Sequence, residues 1–369
     1  MRRIATESSA LTPATRRRLA RVPARLRPWY LAQRRDLPWR RTRDPYAIWI
    51  SEIMLQQTQV AAVIPYYERF LARFPAPSAL ALASDDELIA HWAGLGYYAR
   101  GRNLKRAAEE IVRTHGGQLP AASLELLRLP GIGPYTAAAI GSIAFGEAVP
   151  VIDGNVERVL ARVLALEFEP RRAPGKSMLA EAARCALDHA HPGDHNQALM
   201  ELGATVCTPT RPHCAVCPLA TICQAHRTGC ETLFPLASAK RGAETQHWIA
   251  ATPRDASAWL VVKTDDDAEL LAGHWGFPLE RWPADTPPSA AQAIKVARRL
   301  LRSHCDIKGP TRPTVGESVR HQITYRRLHL TPVRFRIEDE ARLGDVRRVA
   351  AAETSRLPAM HRKLTVSRS

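Results

Sequence analysis

The feature that most constrains this chain is a short turn, LPGIGPYT, which runs from Leu129 to Thr136 between two apolar segments. Glycine lacks a Cβ, so Gly131 and Gly133 are expected to reach positive φ and to reverse the chain tightly. Pro134 suits the first position of a following helix, where its missing N–H costs no hydrogen bond. The turn therefore predicts two helices joined by a hairpin, with an ordinary helix turn as the alternative.

A helix that starts at this turn can bind an anion. The free N–H groups at its first turn and its dipole would form a phosphate site beside Gly131 and Gly133, which could hold DNA without reading base sequence. The charge of the chain fits such a partner, because 52 Lys and Arg against 36 Asp and Glu give a formal net charge of +16. No apolar run approaches a membrane span, so we expect no membrane partner.

Glu52 is the first candidate for acid–base chemistry. It falls in a helix that Asp44 and Pro45 are predicted to start. Its neighbours at three and four residues are mostly apolar, namely Ile48, Trp49, Leu55 and Gln56. A carboxyl group on that face is poorly hydrated, which favours the protonated form that a general acid needs. A glutamate paired with an arginine is the alternative.

Asp153 is the second carboxylate of interest. It lies in the segment VIDGNV, residues 151–156, at the predicted start of another helix whose apolar face begins at Val156. Taken alone, Asp153 is most simply the N-cap of that helix. A carboxylate placed shortly after the hairpin is nevertheless a second group that could act beside a bound polyanion.

Several polar and aromatic side chains are candidates for contacts with nucleic acid. The run from Gln56 to Gln59 includes Gln57 and Thr58, and its side chains could replace pairing lost when a base leaves the duplex. Tyr97 follows a glycine turn and precedes a basic helix, so it could wedge into a base stack. Trp39 lies between arginines and could stack on a base, with a core position as the alternative.

Four cysteines form a cluster near the end of the helical region. Cys207, Cys214, Cys217 and Cys223 are separated by six, two and five residues. Four thiolates in so short a segment can close on one metal centre, and the spacing leaves zinc and an iron–sulfur cluster open. Clustered cysteines favour metal ligation in a reducing compartment over disulfides. We therefore expect a cytoplasmic protein, associated with the bacterial nucleoid.

The sequence divides into four segments. Residues 1–25 are basic and are predicted to be a disordered arm, with an organellar transit peptide as the alternative. Residues 26–225 carry the helical patterns, and residues 226–246 are predicted to be a linker. Residues 247–369 show strand patterns at 259–262 and 328–335 and a basic helix at 289–301, which predicts a separate α+β domain.

These motifs together resemble the MutY family of adenine DNA glycosylases, within the helix–hairpin–helix superfamily that includes endonuclease III. The resemblance rests on LPGIGPYT, VIDGNV, the segment SEIMLQQTQV that contains Glu52, and the cysteine spacing. It spans roughly residues 26–223 and implies a mainly α catalytic region. That region would be a six-helix barrel with the hairpin, plus a helical domain carrying a [4Fe–4S] cluster, with the active site between them.

The resemblance also implies roles for single residues. Glu52 would protonate the adenine leaving group and then activate water, while Asp153 would stabilise the oxocarbenium ion, supported by Asn155. Tyr135 stands where bifunctional relatives carry a Schiff-base lysine, so base excision without strand cleavage is implied. The resemblance also implies contacts with DNA. Gln57 and Tyr97 would enter the base stack, and the flipped adenine would lie among Arg35, Trp39 and Gln197.

The C-terminal domain resembles the smaller α+β, Nudix-like domain that reads 8-oxoguanine in this family. The family's Phe-Ser-His triplet is replaced here by Ile323-Thr324-Tyr325, so Thr324 and Tyr325 are the candidates for lesion contact. The implied function is a monomeric, monofunctional enzyme that removes adenine mispaired with 8-oxoguanine or guanine in double-stranded DNA. A bifunctional endonuclease III-like glycosylase and lyase, or a non-catalytic iron–sulfur DNA-binding protein, are the alternatives.

Overall fold

A computed structural model describes residues 10–236, 242–265, 268–271, 273–305, 313–337 and 346–366. The described chain divides into two compact units, which comprise the described residues up to 236 and those from 242 onward. The first unit is helical and contains the hairpin and the cysteine cluster, whereas the second contains a β-sheet. No helix in these ranges is long and apolar enough to cross a membrane.

The helices of the first unit run in the following order: α1 Pro13–Leu19, α2 Val22–Gln33, α3 Pro45–Leu55, α4 Val60–Arg73, α5 Pro77–Ala81, α6 Asp85–Trp92, α7 Ala99–His115, α8 Ser123–Leu126, α9 Pro134–Phe145, α10 Gly154–Leu164, α11 Gly175–Ala186, α12 Pro192–Thr205 and α13 Gln224–Arg227. Short 3-10 turns cover Pro38–Arg40, Cys214–Val216, Ala220–Ile222 and Glu231–Leu233.

Two hydrophobic cores organise this unit into two lobes. Helices α3 to α9 enclose the first core around Trp49, Phe70 and Trp92. Helices α1, α2 and α10 to α13 enclose the second, around Leu160 and Leu202. Helix α12 packs against α2 and α10 of its own lobe and against α9 of the other lobe. The mainly α class and the division into two helical parts are confirmed.

The predicted disorder of residues 1–25 is wrong for its second half, because residues from 13 onward form helices α1 and α2. Thr12 caps α1 by accepting a hydrogen bond from the Thr15 N–H at 3.2 Å. Leu11 and Leu19 are buried in the second core, and Arg16 pairs with Glu181 at 2.5 Å. Packing of a few leucines therefore orders a segment whose composition suggested a free arm. Residues 1–9 lie outside the described residues.

The predicted linker, residues 226–246, is also shorter than expected. Phe234 is buried in the second core, and its carbonyl accepts a hydrogen bond from Nε of Arg162 at 3.0 Å. The residues up to 236 thus belong to the helical unit, and β1 already begins at Glu244. The part between, residues 237–241, lies outside the described residues.

The second unit is an α+β domain, as predicted. Its elements are β1 Glu244–Arg254, β2 Ala258–Lys263, β3 Trp275–Gly276, β4 Leu279–Trp282, α14 Ala290–Cys305, β5 Thr314–Val315, β6 Val319–Ile323, β7 Arg326–Arg336, β8 Val346–Ala350 and α15 Ala359–Val366. The strands form one sheet with the order β3-β2-β1-β7-β5. In addition, β4 pairs with β1, β6 with β7 and β8 with β2. Strands β1 and β7 pair in parallel, from Glu244 opposite Arg326 to Arg254 opposite Arg336.

Both faces of this sheet are covered, which explains why eight consecutive residues of β1 are buried. Side chains alternate across a strand. Ile249 and Ala251 accordingly face the core that α14 closes with Ala297, while Trp248 and Ala250 face the core that contains Met360 of α15.

Candidate active site

One cavity of about 820 Å³ lies in the helical unit and is lined from both lobes. Most of the site residues predicted in this unit meet there: Arg35, Trp39, Glu52, Gln57, Thr58, Gly131, Gly133, Tyr135, Asp153, Asn155 and Gln197. Tyr97 does not line the cavity, and the four cysteines line a separate pocket. The volume falls within the range of about 300–1,000 Å³ that is usual for ligand sites.

Glu52 is buried in the wall of this cavity, as its apolar helix face predicted. The residue is 6% exposed, and its carboxyl group accepts a hydrogen bond from the Tyr135 hydroxyl, 2.7 Å from Oε2. Burial raises the pKa of Glu52 to about 7, although the Tyr135 hydrogen bond acts in the opposite direction; the charge of Asp153 adds to the rise. Glu52 can therefore both hold and give up a proton near neutral pH.

Asp153 has the N-cap position that the sequence predicted. Its Oδ1 accepts hydrogen bonds from the N–H groups of Asn155 and Val156 at 2.9 and 2.7 Å, at the first turn of α10. The side-chain amide of Asn155 donates to the other oxygen, Oδ2, at 2.8 Å. Both oxygens are thus held in place, and the carboxylate still lines the cavity.

Asn155 is itself fixed from the side of the cysteine cluster. Arg158 donates through Nη2 to Oδ1 of Asn155 at 2.8 Å and through Nε to the carbonyl of Cys207 at 2.7 Å. Helix α12 passes so close that a Cβ on Gly203 would lie 2.5 Å from Cβ of Asn155. The orientation of Asp153 therefore depends on a chain of contacts that reaches a cysteine of the cluster.

A buried acidic group organises the opposite wall. Glu201 is 1% exposed and binds Arg35 through both oxygens, at 2.8 and 2.7 Å, and Arg40 at 2.8 Å. Burial alone would raise the pKa of Glu201, but the hydrogen bonds from Arg35 and Arg40 lower it to about 2. Trp39 is buried and packs edge-on against Tyr67, so it belongs to the core while also lining the cavity.

The hairpin has the predicted form with one correction. Gly131 has φ of +75°, and a Cβ there would lie 2.6 Å from Cβ of Asn103, so glycine is required. Gly133 instead has φ of −90° and is the N-cap of α9, a conformation open to any residue. The expectation of positive φ at Gly133 was wrong because the reversal is completed before it. Both glycines are exposed, and the N-cap of α9 offers no side-chain hydrogen bond to the first N–H groups.

Gln57 and Tyr97 both have left-handed backbone conformations and exposed side chains. Their φ values are +58° and +48°, and Tyr97 is 49% exposed. Non-glycine residues adopt this region at an energetic cost, which concentrates at functional positions. The structure thus places both predicted stack-entering side chains at exposed, strained turns.

The four cysteines surround a small pocket together with His226 and Glu231. Burial raises the pKa of Cys214 to about 11 and that of Cys217 to about 12, with neighbouring thiols adding to the rise; the pKa of Cys223 is also raised. Among the described residues, Cys214, His226 and Glu231 bring their ligand atoms within 4.8 Å of one another. The sequence pattern did not indicate that His226 and Glu231 lie beside the four cysteines.

Thr324 and Tyr325 lie in the second unit, at the turn between β6 and β7. Thr324 has φ of +53°, which is rare for a β-branched residue. Its hydroxyl donates to the carbonyl of Ile323 at 2.7 Å. The turn is exposed, and a role in lesion recognition stays a prediction.

Arg40, Glu201 and Arg158 were missed by the sequence analysis. Glu201 was open to detection, because it lies one helical turn after Gln197 and beside the buried Leu202, in the same way that Glu52 stands out in α3. Arg40 and Arg158 had no such signal, since their roles depend on partners brought together by folding.

Fold and cavity together define the class of protein: a helix–hairpin–helix protein with two carboxyl groups in one cavity. The sequence profile of the HhH-GPD superfamily of base excision DNA repair proteins matches residues 50–181. Human adenine DNA glycosylase is 50% identical over 208 residues, which cover 54% of this chain and 38% of the human protein. The chain spans less than half the length of such mammalian relatives.

Shorter relatives and solved structures are covered more fully. Adenine DNA glycosylase of Buchnera aphidicola (subsp. Schizaphis graminum) is 33% identical, with 69% of its length and 64% of this chain covered. A thermostable thymine-DNA glycosylase has a TM-score of 0.54 at 30% identity, with 99% of that structure and 58% of this chain covered. A trapped endonuclease III–DNA complex shares the fold, with a TM-score of 0.50 at 20% identity, 59% of this chain and 99% of that one. The chain belongs to the HhH-GPD superfamily of base excision DNA repair proteins, in its MutY-type branch of adenine DNA glycosylases.

Proposed function

We propose that this protein removes adenine mispaired with 8-oxoguanine or guanine from double-stranded DNA, as a monomer and without cutting the strand. One observation carries the proposal: Glu52, whose pKa is raised to about 7, and Asp153, fixed by three hydrogen bonds, line the same cavity. Two carboxyl groups with different environments are the usual equipment for hydrolysis of a glycosidic bond.

In this mechanism Glu52 acts first as an acid and then as a base. Its proton passes to the departing adenine, and the resulting carboxylate takes a proton from the attacking water. The hydroxyl of Tyr135 donates to Oε2 and so stabilises the carboxylate after proton transfer. A pKa of about 7 leaves both forms populated at neutral pH, which suits a group that must change roles.

Asp153 acts on the sugar. Cleavage of the N-glycosidic bond leaves an oxocarbenium ion, and a fixed carboxylate stabilises that positive charge without having to reorganise. Asn155 and the two backbone N–H groups provide the fixing, so we assign Asn155 a supporting role.

Strand cleavage through an imine would require an amine. Tyr135 presents a phenol, and no lysine is found among the described residues that line the cavity. Base excision alone is therefore the reaction that this site supports. Borohydride treatment of the protein with abasic DNA tests this point, and a stoichiometric covalent complex would favour the bifunctional alternative.

The flipped adenine would lie among Trp39, Arg35 and Gln197, which line the cavity. Glu201 holds Arg35 and Arg40 in place, and Gln197 lies one helical turn before Glu201 on α12. The amide of Gln197 can both donate and accept, which suits the edge of a purine. The exposed hairpin at Gly131 and Gly133, with the open N–H groups of α9, would hold a phosphate of the DNA strand.

A [4Fe–4S] cluster is proposed at Cys207, Cys214, Cys217 and Cys223. The four thiols line one pocket, and four thiolates are the donor set that such a cluster requires. The choice of a cluster over zinc follows from the resemblance to the MutY family. When bound, such a cluster supplies four metal–thiolate bonds that order the loop.

Arg162 supports the same proposal. It is 2% exposed and donates to the carbonyls of Phe234, Thr208 and Pro209 at 3.0, 2.7 and 2.7 Å. Its Nη1 also lies 3.3 Å from Sγ of Cys207. A buried guanidinium needs a negative charge nearby, and the hydrogen-bond acceptors of Arg162 in the described chain are carbonyls and the sulfur of Cys207. Thiolates on a cluster would supply that charge.

Single-turnover excision tests the function as a whole. Duplexes that carry adenine opposite 8-oxoguanine, guanine or cytosine differ only in the partner base. We expect release of adenine from the first two and little from the third. Equal rates on all three would contradict the proposed selectivity, and no release from any of them would contradict the proposed activity.

A further inference from the structure

Arg100 joins the two turns that carry Gln57 and Tyr97. Its Nη1 donates to three carbonyls at the end of α3, those of Ile53, Met54 and Gln56, at 2.7, 3.2 and 2.5 Å. Its Nη2 lies 3.3 Å from the Thr58 hydroxyl and donates to two carbonyls just before Tyr97, those of Leu95 and Gly96, at 3.1 and 3.2 Å. One half-buried guanidinium thus binds both turns at once.

These contacts change how Arg100 is interpreted. In the sequence, Arg100 is one of the basic residues of the helix that follows Tyr97, a composition that suits a polyanionic partner. Both terminal nitrogens of the guanidinium are instead occupied by acceptors of the protein itself. Carbonyls at a helix C-terminus lack partners within the helix, so an arginine there satisfies them and fixes the chain that follows.

The geometry requires an arginine. The guanidinium is planar and directs its donors in two directions, so one side of the group can bind the α3 end while the other binds the turn before Tyr97. A lysine ammonium is a single point and cannot span the two sets of carbonyls. The carbon Cζ of Arg100 also lies 5.7 Å from the ring centroid of Tyr97 and 5.6 Å from that of Trp92, which places the guanidinium near both rings.

We propose that Arg100 is a positioning residue that sets the separation of Gln57 and Tyr97, so that both side chains enter the base stack together. The proposal rests on the proposed function, because it assumes that these side chains enter DNA. Each turn holds a non-glycine residue at positive φ, and such a conformation persists when surrounding contacts impose it. Arg100 supplies those contacts for both turns from a single side chain.

The test compares Arg100→Met, Arg100→Lys and a control, Arg113→Met, in the full chain. Arg113 is exposed near the far end of α7 and pairs with Glu110, so its replacement removes one positive charge without touching either turn. The readout is the fluorescence of 2-aminopurine placed beside 8-oxoguanine in a mispaired duplex, which reports unstacking at the insertion site. Binding to the mispaired and the matched duplex is measured in parallel.

We expect both Arg100 variants to lose most of the fluorescence change and to bind the mispair about ten-fold more weakly, since stacked aromatic contacts of this kind are substantial. Binding to the matched duplex should fall no more than in Arg113→Met. Tyr97→Ser should have a large effect in the parent protein and a much smaller one in Arg100→Met, because the two act together. Circular dichroism establishes that each variant is folded. If Arg100→Met does not fold, the comparison is made with Arg100→Lys.

The outcomes separate the two levels of the proposal. If Tyr97→Ser reduces the fluorescence change in the parent but Arg100→Met and Arg100→Lys do not, insertion stands and the positioning role is overturned. If Tyr97→Ser has no effect in the parent, insertion itself is wrong and the proposal for Arg100 falls with it. Additive effects of Tyr97→Ser and Arg100→Met would likewise overturn the positioning role.

Discussion

The hydroxyl oxygen of Tyr135 lies 2.7 Å from Oε2 of Glu52, and this contact joins α9, the helix that the hairpin starts, to the acid on α3. The hydrogen bond opposes the effect of burial, which raises the pKa of Glu52 to about 7. The helix that begins at the hairpin therefore also tunes the group proposed to protonate the base.

Excision should depend on pH through Glu52. The general acid must be protonated, so the single-turnover rate at saturating enzyme is expected to fall as the pH rises through about 7. In Tyr135→Phe the hydrogen bond that lowers the pKa of Glu52 is lost, so the descending limb should move to higher pH. A rate profile between pH 5.5 and 9 measures both. A limb that moves to lower pH, or stays in place, contradicts the assigned contact.

Replacement of Asp153 should separate its structural role from its chemical one. Asparagine is as good an N-cap as aspartate, so Asp153→Asn should keep the two backbone hydrogen bonds of the cap and lose only the one from the Asn155 amide, whereas Asp153→Ala loses all three and should be less stable than Asp153→Asn by about 1 kcal/mol. Both variants lose the negative charge and should excise adenine roughly 100-fold more slowly or worse. Denaturant unfolding and single-turnover rates give the two quantities. If Asp153→Asn is fully active, the chemical role is contradicted and Asp153 acts only as the N-cap of α10.

Much of this site is predictable from sequence, and the reason is local. The apolar neighbours of Glu52 lie on its own helix, and Asp153 caps the helix that follows it, so each assignment needs only a short window of sequence. Glu201 and its arginines are different. They lie 161 and 166 residues apart along the chain, and only the packing of α12 across the two lobes brings them together.

The same reasoning explains the errors. Residues 13–25 looked like a free basic arm because their arginines dominate the composition, yet Leu19 and Val22 are buried in the second core and Arg16 pairs with Glu181 on α11. The role of Arg100 was not predicted, because its carbonyl partners on α3 carry no sequence signal: any residue supplies a backbone carbonyl. Gly133 looked like a second left-handed glycine, although one such position completes the turn.

The buried carboxyl should also affect stability. The pKa of Glu52 is about 7 in the folded protein and about 4.5 when exposed, so the folded state gives up its proton less readily. The contribution of protonated Glu52 to the free energy of unfolding is complete below about pH 4.5 and is lost as the pH rises through 7. The free energy of unfolding should fall over this range by roughly 3 kcal/mol at most. Glu52→Gln has no such loss. It should therefore be more stable than the parent at pH 8, and by a smaller margin or not at all at pH 5.

The control for this measurement is Glu109→Gln, which changes an exposed glutamate on α7 that lies 3.8 Å from Lys105. The free energy of unfolding of Glu109→Gln should differ little from that of the parent, and the difference should be nearly the same at pH 5 and pH 8. If the stability difference between Glu52→Gln and the parent is also the same at both pH values, the pKa of Glu52 is not raised in the folded protein, which contradicts its assigned burial.

Metal content should follow the four cysteines. Anaerobically purified protein is expected to contain about four irons per chain and to absorb at about 400 nm. Cys217→Ser should lose the band and much of its resistance to unfolding, because the loop gains its order from ligand bonds. Cys185→Ser, on α11 and outside that pocket, should keep both. Stoichiometric zinc in the parent protein would contradict the cluster assignment.

The central claim is that Glu52 gives a proton to an adenine held in the cavity, and one measurement tests it directly. Single-turnover release of adenine from a duplex with adenine opposite 8-oxoguanine is followed for the parent and for Glu52→Gln. Glutamine keeps the shape of the side chain and can still accept from Tyr135, so folding and DNA binding should be retained. The account predicts rapid release by the parent and a loss of at least about 100-fold in the variant. Equal rates for the two proteins, with equal binding, would contradict it.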